Sequence, residues 1–329
     1  MTLPVLVAPD SFKGTFSAAE VARAIAAGLR EAGRETRELP VADGGEGTMA
    51  VLVSVLGGEV RTETVPDPLG RAVEAGFALL PDGSAVVEMA QASGLSLVAE
   101  ADRDPWEAST RGTGELIAAA ASAGAAPIIV TVGGSATTDG GAGAIEALRE
   151  AGFEQAAAPK TLEMHVVCDV RVPFEDAPRI YGPQKGADPA MVERLEGRLG
   201  QLAASLPRDP RGEPMTGAAG GLSGGLWGAF GAKLFPGAPY VLDTIGFDAL
   251  MRGSAFVVTG EGSLDEQTLQ GKIVGEVATR CRQGGVTCHA IVGRNRLEPF
   301  EERIIDLASV TEATTLDELR HAGAALVEQ

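Results

Sequence analysis

The residues best suited to chemistry lie in glycine-rich loops. Val130 to Gly143 (V-T-V-G-G-S-A-T-T-D-G-G-A-G) carries a buried-strand pattern into glycines, hydroxyls and one carboxylate, and then into a helical pattern. Glycine lets backbone amides approach a ligand closely, and the start of the next helix is electropositive. Gly133, Gly134 and Ser135 therefore read as a site for a phosphate or carboxylate. Asp139, in the same loop, could be a ligand, a base or the cap of the following helix. Arg111 stands among hydroxyls and glycines just ahead of another helix, a setting suited to bidentate binding of an anion. Asp169 follows the strand pattern Val166–Cys168, and Lys185 sits between Gly-Pro-Gln and Gly. A second glycine-dense stretch runs from Gly217 through Gly220 and Gly221 to Gly231.

Three other strand patterns end in acidic loops: Asp10-Ser11-Phe12-Lys13, Asp43-Gly44-Gly45-Glu46, and Glu261 to Asp265. Any one of these acids alone would be an ordinary cap or a solvated side chain. Ligands of open α/β sheets bind beyond the carboxyl ends of the strands, so three acidic loops there would converge on one edge. Converging carboxylates need a cation, and Mg²⁺ with phosphate is the common solution.

These loops need strands and helices to hold them. Pro4 to Ala8 reads as a buried strand. Ser17 and Glu20 form a capping-box pattern before Val21, Ile25 and Leu29, which repeat at helical spacing. Thr36 to Val41 and Thr48 to Leu56 repeat the strand–loop–helix plan, which points to a parallel sheet. The texture then changes: 60–65, 72–80 and 85–89 are strand-like and separated by turn residues, as in antiparallel pairing. From about residue 240 the first texture returns, with strands near 256–259, 290–292 and 307–310, a helix from Ile273, and Thr315 with Glu318 capping the last helix. The fold class expected is α/β: a Rossmann-like parallel-sheet domain built from both chain ends (1–65 and 240–329), with an inserted mixed α/β domain (66–239) and the active site in the interdomain cleft. Two consecutive domains are the alternative.

Composition removes several function classes. A net charge of −18 disfavours nucleic acid and anionic membrane as partners. Three widely spaced cysteines fit a reducing compartment without a disulfide framework or zinc pattern. No apolar run is long enough to span a membrane and the start has no signal-peptide pattern, so the cytoplasm is the expected location. No G-x-G-x-x-G follows a strand, which counts against a dehydrogenase, and Gly271-Lys272 lacks the first glycine of a P-loop because Glu266 stands there. His165, His289 and His321 read as structural, so a hydrolase triad is not suggested.

Together, Asp10 to Gly14, Asp43 to Gly47, Arg111 to Glu115, Gly133 to Thr137 with Asp139 to Gly141, Cys168 to Val170, Gly182 to Gly186, and Thr259 to Gly262 resemble the signature blocks of the bacterial glycerate kinase type 1 family, in family order. The resemblance implies ATP- and Mg²⁺-dependent phosphorylation of D-glycerate to 2-phosphoglycerate or 3-phosphoglycerate, in a two-domain α/β enzyme; a homodimer is compatible with it. It departs from the family at residues 153–164, where the chain is shorter. On that reading the Gly133 loop and the Gly217, Gly220 and Gly221 region bind phosphate or the substrate carboxylate. Asp43, Glu46, Glu261 or Asp265 hold the metal. Ser11 lies on the substrate side, and Lys13, Arg111 and Lys185 neutralise charge. Asp169, or else Asp139, orients or deprotonates the attacking hydroxyl. A kinase of another small hydroxy acid and a catalytically inactive nucleotide-binding regulator are the competing readings.

Overall fold

In the computed structural model, residues 3–153, 162–269 and 272–327 are described. Most of the short segment at 153–164 therefore lies outside the described residues. The chain forms two compact units: one of Met1–Asp43, Ala50–Val55 and Gly237–Gln329, the other of Gly44–Met49 and Leu56–Pro236. The fold is α/β, with a parallel sheet supplied by both ends of the chain and a mixed α/β unit inserted in the sequence.

The first unit begins with β1 (Val5–Pro9), whose five residues are all buried. A strand covered on both faces reads as a continuous apolar run, which is why the alternation of a half-exposed strand is missing. The Ala18–Glu31 helix follows, and its capping box between Ser17 and Glu20 is present as the sequence predicts. β2 (Thr36–Glu38) is shorter than the expected strand, although Leu39 N and Val41 N still donate to Val7 O (2.8 Å) and Pro9 O (3.0 Å) of β1 on the way to Asp43.

The inserted unit contributes β3 (Glu59–Pro66), β4 (Ala72–Leu79), β5 (Ala85–Glu88), β6 (Ile128–Thr131), β7 (Met164–Cys168) and β8 (Lys233–Pro236), side by side in that order. β3, β4 and β5 pair antiparallel, whereas β5 to β8 are parallel. The change of pairing explains the change of texture: two short turns join the first three strands, and helices such as Arg111–Ser122 and Ala142–Glu150 cross between later ones. Its core joins Val87, Val130 and Val166 of the sheet to Leu116, Ile117, Leu148 and Leu222 of the helices.

On return to the first unit the chain adds β9 (Val257–Gly260), β10 (Cys288–Val292) and β11 (Ser309–Glu312), giving the order β11-β10-β9-β1-β2, parallel throughout. Strands that all run one way deliver every following loop to one edge, and so the loops after β1, β9 and β10 meet. The Leu316–Ala325 helix, capped by Thr315 and Glu318 as expected, packs on the Ala18–Glu31 helix. Glycine sets that contact: a Cβ on Gly28 would lie 1.8 Å from the Arg320 carbonyl oxygen, and one on Gly323 would lie 2.5 Å from that of Ile25.

Gly28→Ala should therefore force the two helices apart and cost about 2 kcal/mol of stability. Gly197→Ala should do the opposite and gain about 0.5–1 kcal/mol, because Gly197 lies inside the Pro189–Ser205 helix with open space where its Cβ would go. Urea unfolding of the two variants tests both signs; equal midpoints would refute the account of the helix contact.

Candidate active site

In the first unit, a cavity of about 410 Å³ opens where the loops after β1, β9 and β10 converge, and it is lined by Asp10, Ser11, Lys13, Asp43, Glu261, Asp265 and Lys272, among others. Backbone bonds stitch the rim: Asp10 N donates to Gly260 O (2.8 Å), Gly293 N to Glu261 O (3.0 Å) and Leu264 N to Arg294 O (2.9 Å). A Cβ on Gly260 would meet the Ile291 carbonyl oxygen at 2.0 Å, so only glycine lets the end of β9 lie this close to β10.

The electrostatics of this cavity are those of crowded carboxylates. Asp10 is buried, and burial together with the Asp43 carboxylate holds its pKa well above the usual range, against the pull of the Ser11 amide and Lys13. Glu261 is buried too and is pushed up to about 7, chiefly by desolvation; the Thr268 hydroxyl, donating to it at 2.7 Å, and Lys272 act the other way. Lys13 stands 3.9 Å from Asp43. A divalent cation with bound phosphate fits the Asp10–Asp43 pair, since Mg²⁺ commonly takes one or two carboxylates plus phosphate oxygens and water.

The sequence-predicted metal set is not assembled as expected. Asp43, Glu261 and Asp265 line the cavity, but Glu46 belongs to the other unit, where its carboxylate lies against Gly134 and Glu88. Among the described residues, no three acidic, His or Cys groups are close enough to form a ready-made metal cage. Asp10, outside the expected set, is buried there as deeply as Asp43. Its signal was available in the sequence: a wholly apolar strand that ends directly in an acid.

In the inserted unit, a cavity of about 260 Å³ is lined by Gly133, Gly134, Ser135, Asp169, Tyr181, Lys185, Ala219 and Gly220, among others. β6 delivers the first three and β7 delivers Asp169. Lys185 is held in a short 3₁₀ turn ended by Gly186, whose φ of +97° suits glycine. Its side chain is buried; Nζ donates to Ser135 Oγ (2.7 Å) and to the Thr137 carbonyl (2.6 Å). Burial lowers this ammonium to about 7, and the Asp139 charge opposes the fall. Asp169 also acts on Tyr181, whose phenol is pushed up to about 12 mainly by burial.

Ala219, Gly220 and Gly221 have φ of 53°, 63° and 93°, a left-handed run that ends at the Leu222–Phe230 helix. Such a run turns successive amides towards one side and favours an anion. Gly220 must be glycine for a second reason, since its Cβ would lie 2.0 Å from the Thr137 carbonyl oxygen. Gly217 and Gly221 are close-packed instead, against Pro173 and against Phe174 with Gly140, and neither lines the cavity. Gly133 meets the backbone of Gly45, where a Cβ would come within 2.5 Å.

Two expected site residues are otherwise engaged. Arg111 pairs with Glu115 (3.0 Å), Glu146 (3.6 Å) and Glu150, joining two helices, and lines neither cavity. The Arg111–Glu115 pair, four residues apart on a helix, was legible as an ordinary surface ion pair. Asp139 is buried and lines neither cavity; it accepts from backbone and hydroxyl donors at the starts of two helices. Ser11 and Lys13 belong to the first unit's cavity rather than to that of Gly133 to Ser135. Glu88, unexpected from the sequence, is a buried acid at the end of β5 that accepts from Gly47 N (2.9 Å) and Met49 N (3.1 Å) and so fixes the 44–49 loop.

The glycerate kinase family profile matches residues 5–157 and 150–329, two stretches that overlap at residues 150–157. A glycerate kinase of Halalkalibacterium halodurans is 38% identical over 362 aligned positions, covering 99% of this chain and 95% of its own. A glycerate 2-kinase of Escherichia coli is 38% identical, covering 82% of this chain and 80% of its own. A solved structure from Salmonella typhimurium LT2, provisionally described as a glycerate kinase 2, superposes with a TM-score of 0.83 at 33% identity, covering 100% of this chain and 98% of that one. With its sequence matched almost from end to end and its fold shared over the whole length, the chain belongs to the glycerate kinase family of phosphotransferases.

Proposed function

We propose that the protein is a glycerate kinase of the type 1 branch, transferring the γ-phosphoryl group of ATP to D-glycerate in the cytoplasm, with 2-phosphoglycerate as product. The observation that carries this reading is the second cavity, where a buried ammonium, Lys185, and a carboxylate, Asp169, share one small space. At about 260 Å³ it falls below the ~300–1,000 Å³ of sites that take drug-sized ligands, which suits a three-carbon acid. The choice of the 2-phosphate follows the name of the Escherichia coli relative.

Phosphoryl transfer asks for positioning and charge neutralisation more than for covalent chemistry. Lys185 and the backbone at Ala219 and Gly220, which line the cavity, take the substrate's carboxylate or the incoming phosphoryl oxygens. Asp169 accepts the proton of the attacking hydroxyl. Lys13 and Lys272 neutralise nucleotide phosphate at the first cavity. Asp10 and Asp43 would hold the Mg²⁺ that accompanies ATP and spreads its negative charge. Glu261, raised to about 7, adds little negative charge to that pair in mildly acidic solution.

Release of ADP on mixing ATP and D-glycerate tests the activity, and ³¹P NMR of the product tests the position; 3-phosphoglycerate would overturn the regiochemistry, and no turnover would overturn the function. Asp169→Asn should lower kcat by roughly 10²–10⁴ while ATP affinity holds; near-full turnover would remove Asp169 as base. Lys185 is charged below about pH 7 and neutral above it. The KM for D-glycerate should accordingly rise as pH passes upward through 7, and Lys185→Met should flatten that dependence. A wild-type KM that is constant from pH 6 to 8 would refute the role given to this ammonium.

A further inference from the structure

Asp139 sits where the 133–143 loop enters the Ala142–Glu150 helix, with 1% of its surface exposed. Its Oδ2 accepts from Thr110 N (2.9 Å), Thr110 Oγ1 (2.8 Å) and Gly143 N (3.1 Å), and its Oδ1 accepts from Gly141 N (3.0 Å). Thr110 Oγ1 in turn accepts from Ala144 N (3.0 Å). Three donors crowd Oδ2 and one engages Oδ1, so the carboxylate is committed mainly to the loop and the two helix starts around it. A general base must reach the proton it removes. Asp139 is buried and lines neither cavity, so no substrate hydroxyl held there reaches it.

What the carboxylate does hold is the loop that shapes the second cavity. The carbonyl of Thr137, two residues earlier, and the hydroxyl of Ser135 receive two of the three donors of the Lys185 ammonium. The third is left for a ligand in the cavity that Lys185 lines. Gly140 N donates to Gly220 O (3.0 Å), so the left-handed 219–221 turn is docked on the same loop.

We infer that Asp139 is a positioning residue: it locks the 133–143 loop in the shape that presents the Lys185 ammonium and the 219–221 turn to an anionic substrate, and it does not take the substrate's proton. The inference rests on reading this cavity as the glycerate site. Asp139 also supplies negative charge that favours the protonated form of Lys185, against burial. The other charged and titratable groups around the cavity are Asp169 and Tyr181 in its lining, Arg103, whose guanidinium donates to Gln184 O at 3.3 Å, and Glu46 beside Gly134. All of these are retained in Asp139→Asn.

The test is a ¹³Cε-lysine NMR titration of the whole protein without substrate, with the Lys185 signal assigned by its loss in Lys185→Met. Lys185 should titrate near pH 7 in the wild type, and about one pH unit lower in Asp139→Asn. The same variant should raise the KM for D-glycerate roughly tenfold at neutral pH while kcat stays within about threefold. An unchanged Lys185 midpoint overturns the inference. So does a kcat loss of ~10² or more at constant KM, the behaviour of a proton acceptor. Should Asp139→Asn fail to fold, Thr110→Val carries the test, because it keeps the carboxylate and removes the hydroxyl between Asp139 and Ala144. The midpoint should then stay near 7 while KM rises several-fold, and an unchanged KM overturns the inference. Because the titration needs no substrate, a protein that leaves D-glycerate unphosphorylated sinks the functional reading without touching this result.

Discussion

Burying one ammonium constrains most of the inserted unit's site. A lysine taken out of water is costly unless its donors are satisfied, and here two of them end on one loop, at Ser135 Oγ and Thr137 O. That loop must pass close to Lys185 and also meet the 219–221 turn and the 44–49 loop. Each close approach falls on a glycine: Gly133 against Gly45, Gly140 against Leu202 and Phe174, Gly220 against Thr137. The glycine richness of the sequence there thus reflects close packing against neighbouring backbone and, at Gly140, against side chains, more than a need for flexibility. Asp139 completes the arrangement by anchoring the same loop to Thr110 and to the start of its own helix.

The first unit solves the converse problem, with negative charge in excess. Parallel strands bring Asp10, Glu261 and the loop carrying Asp43 to one sheet edge, where desolvation and mutual repulsion raise Asp10 and Glu261. Both acids are buried, so little water is available to relieve them. A bound cation would relieve the crowding that raises these two acids. Lys13 and Lys272 moderate the repulsion.

The elements of the fold were legible because apolar runs and caps are local signals. β1, the Ser17–Glu20 and Thr315–Glu318 capping boxes and the antiparallel texture of β3 to β5 could all be read from neighbouring residues. The site was legible as a set of loops, and Lys185, Asp169 and Gly133 to Ser135 do line one cavity. Roles that depend on distant partners were not legible. Arg111 looked like an anion clamp until Glu146 and Glu150 came to it from another helix, and Asp139 stood open between ligand, base and helix cap because Thr110, which donates to it from 29 positions away, is not visible as its partner in the sequence. Glu88 gave no signal because its partners, Gly47 and Met49, lie about forty positions earlier. Asp10 was named with its loop but missed as a site residue, since its burial is a property of the sheet edge rather than of its neighbours in sequence.

The net charge of −18 then takes on a more specific meaning. A chain so acidic attracts anions poorly over long range, so any anion site must act at contact distance. On the reading proposed above, the inserted unit would do this with one desolvated lysine and with backbone amides, neither of which adds much positive field at the surface. Contact-range binding rewards a ligand small enough to enter and shaped to meet Lys185 and the 219–221 turn together. It offers little to a polyanion that cannot shed its water and enter the cavity. The same acidity that disfavours nucleic acid would, on the reading proposed above, sharpen selection for a small carboxylate or phosphate, with the Lys185 ammonium, lowered to about 7 by burial, as the group through which pH would control that selection.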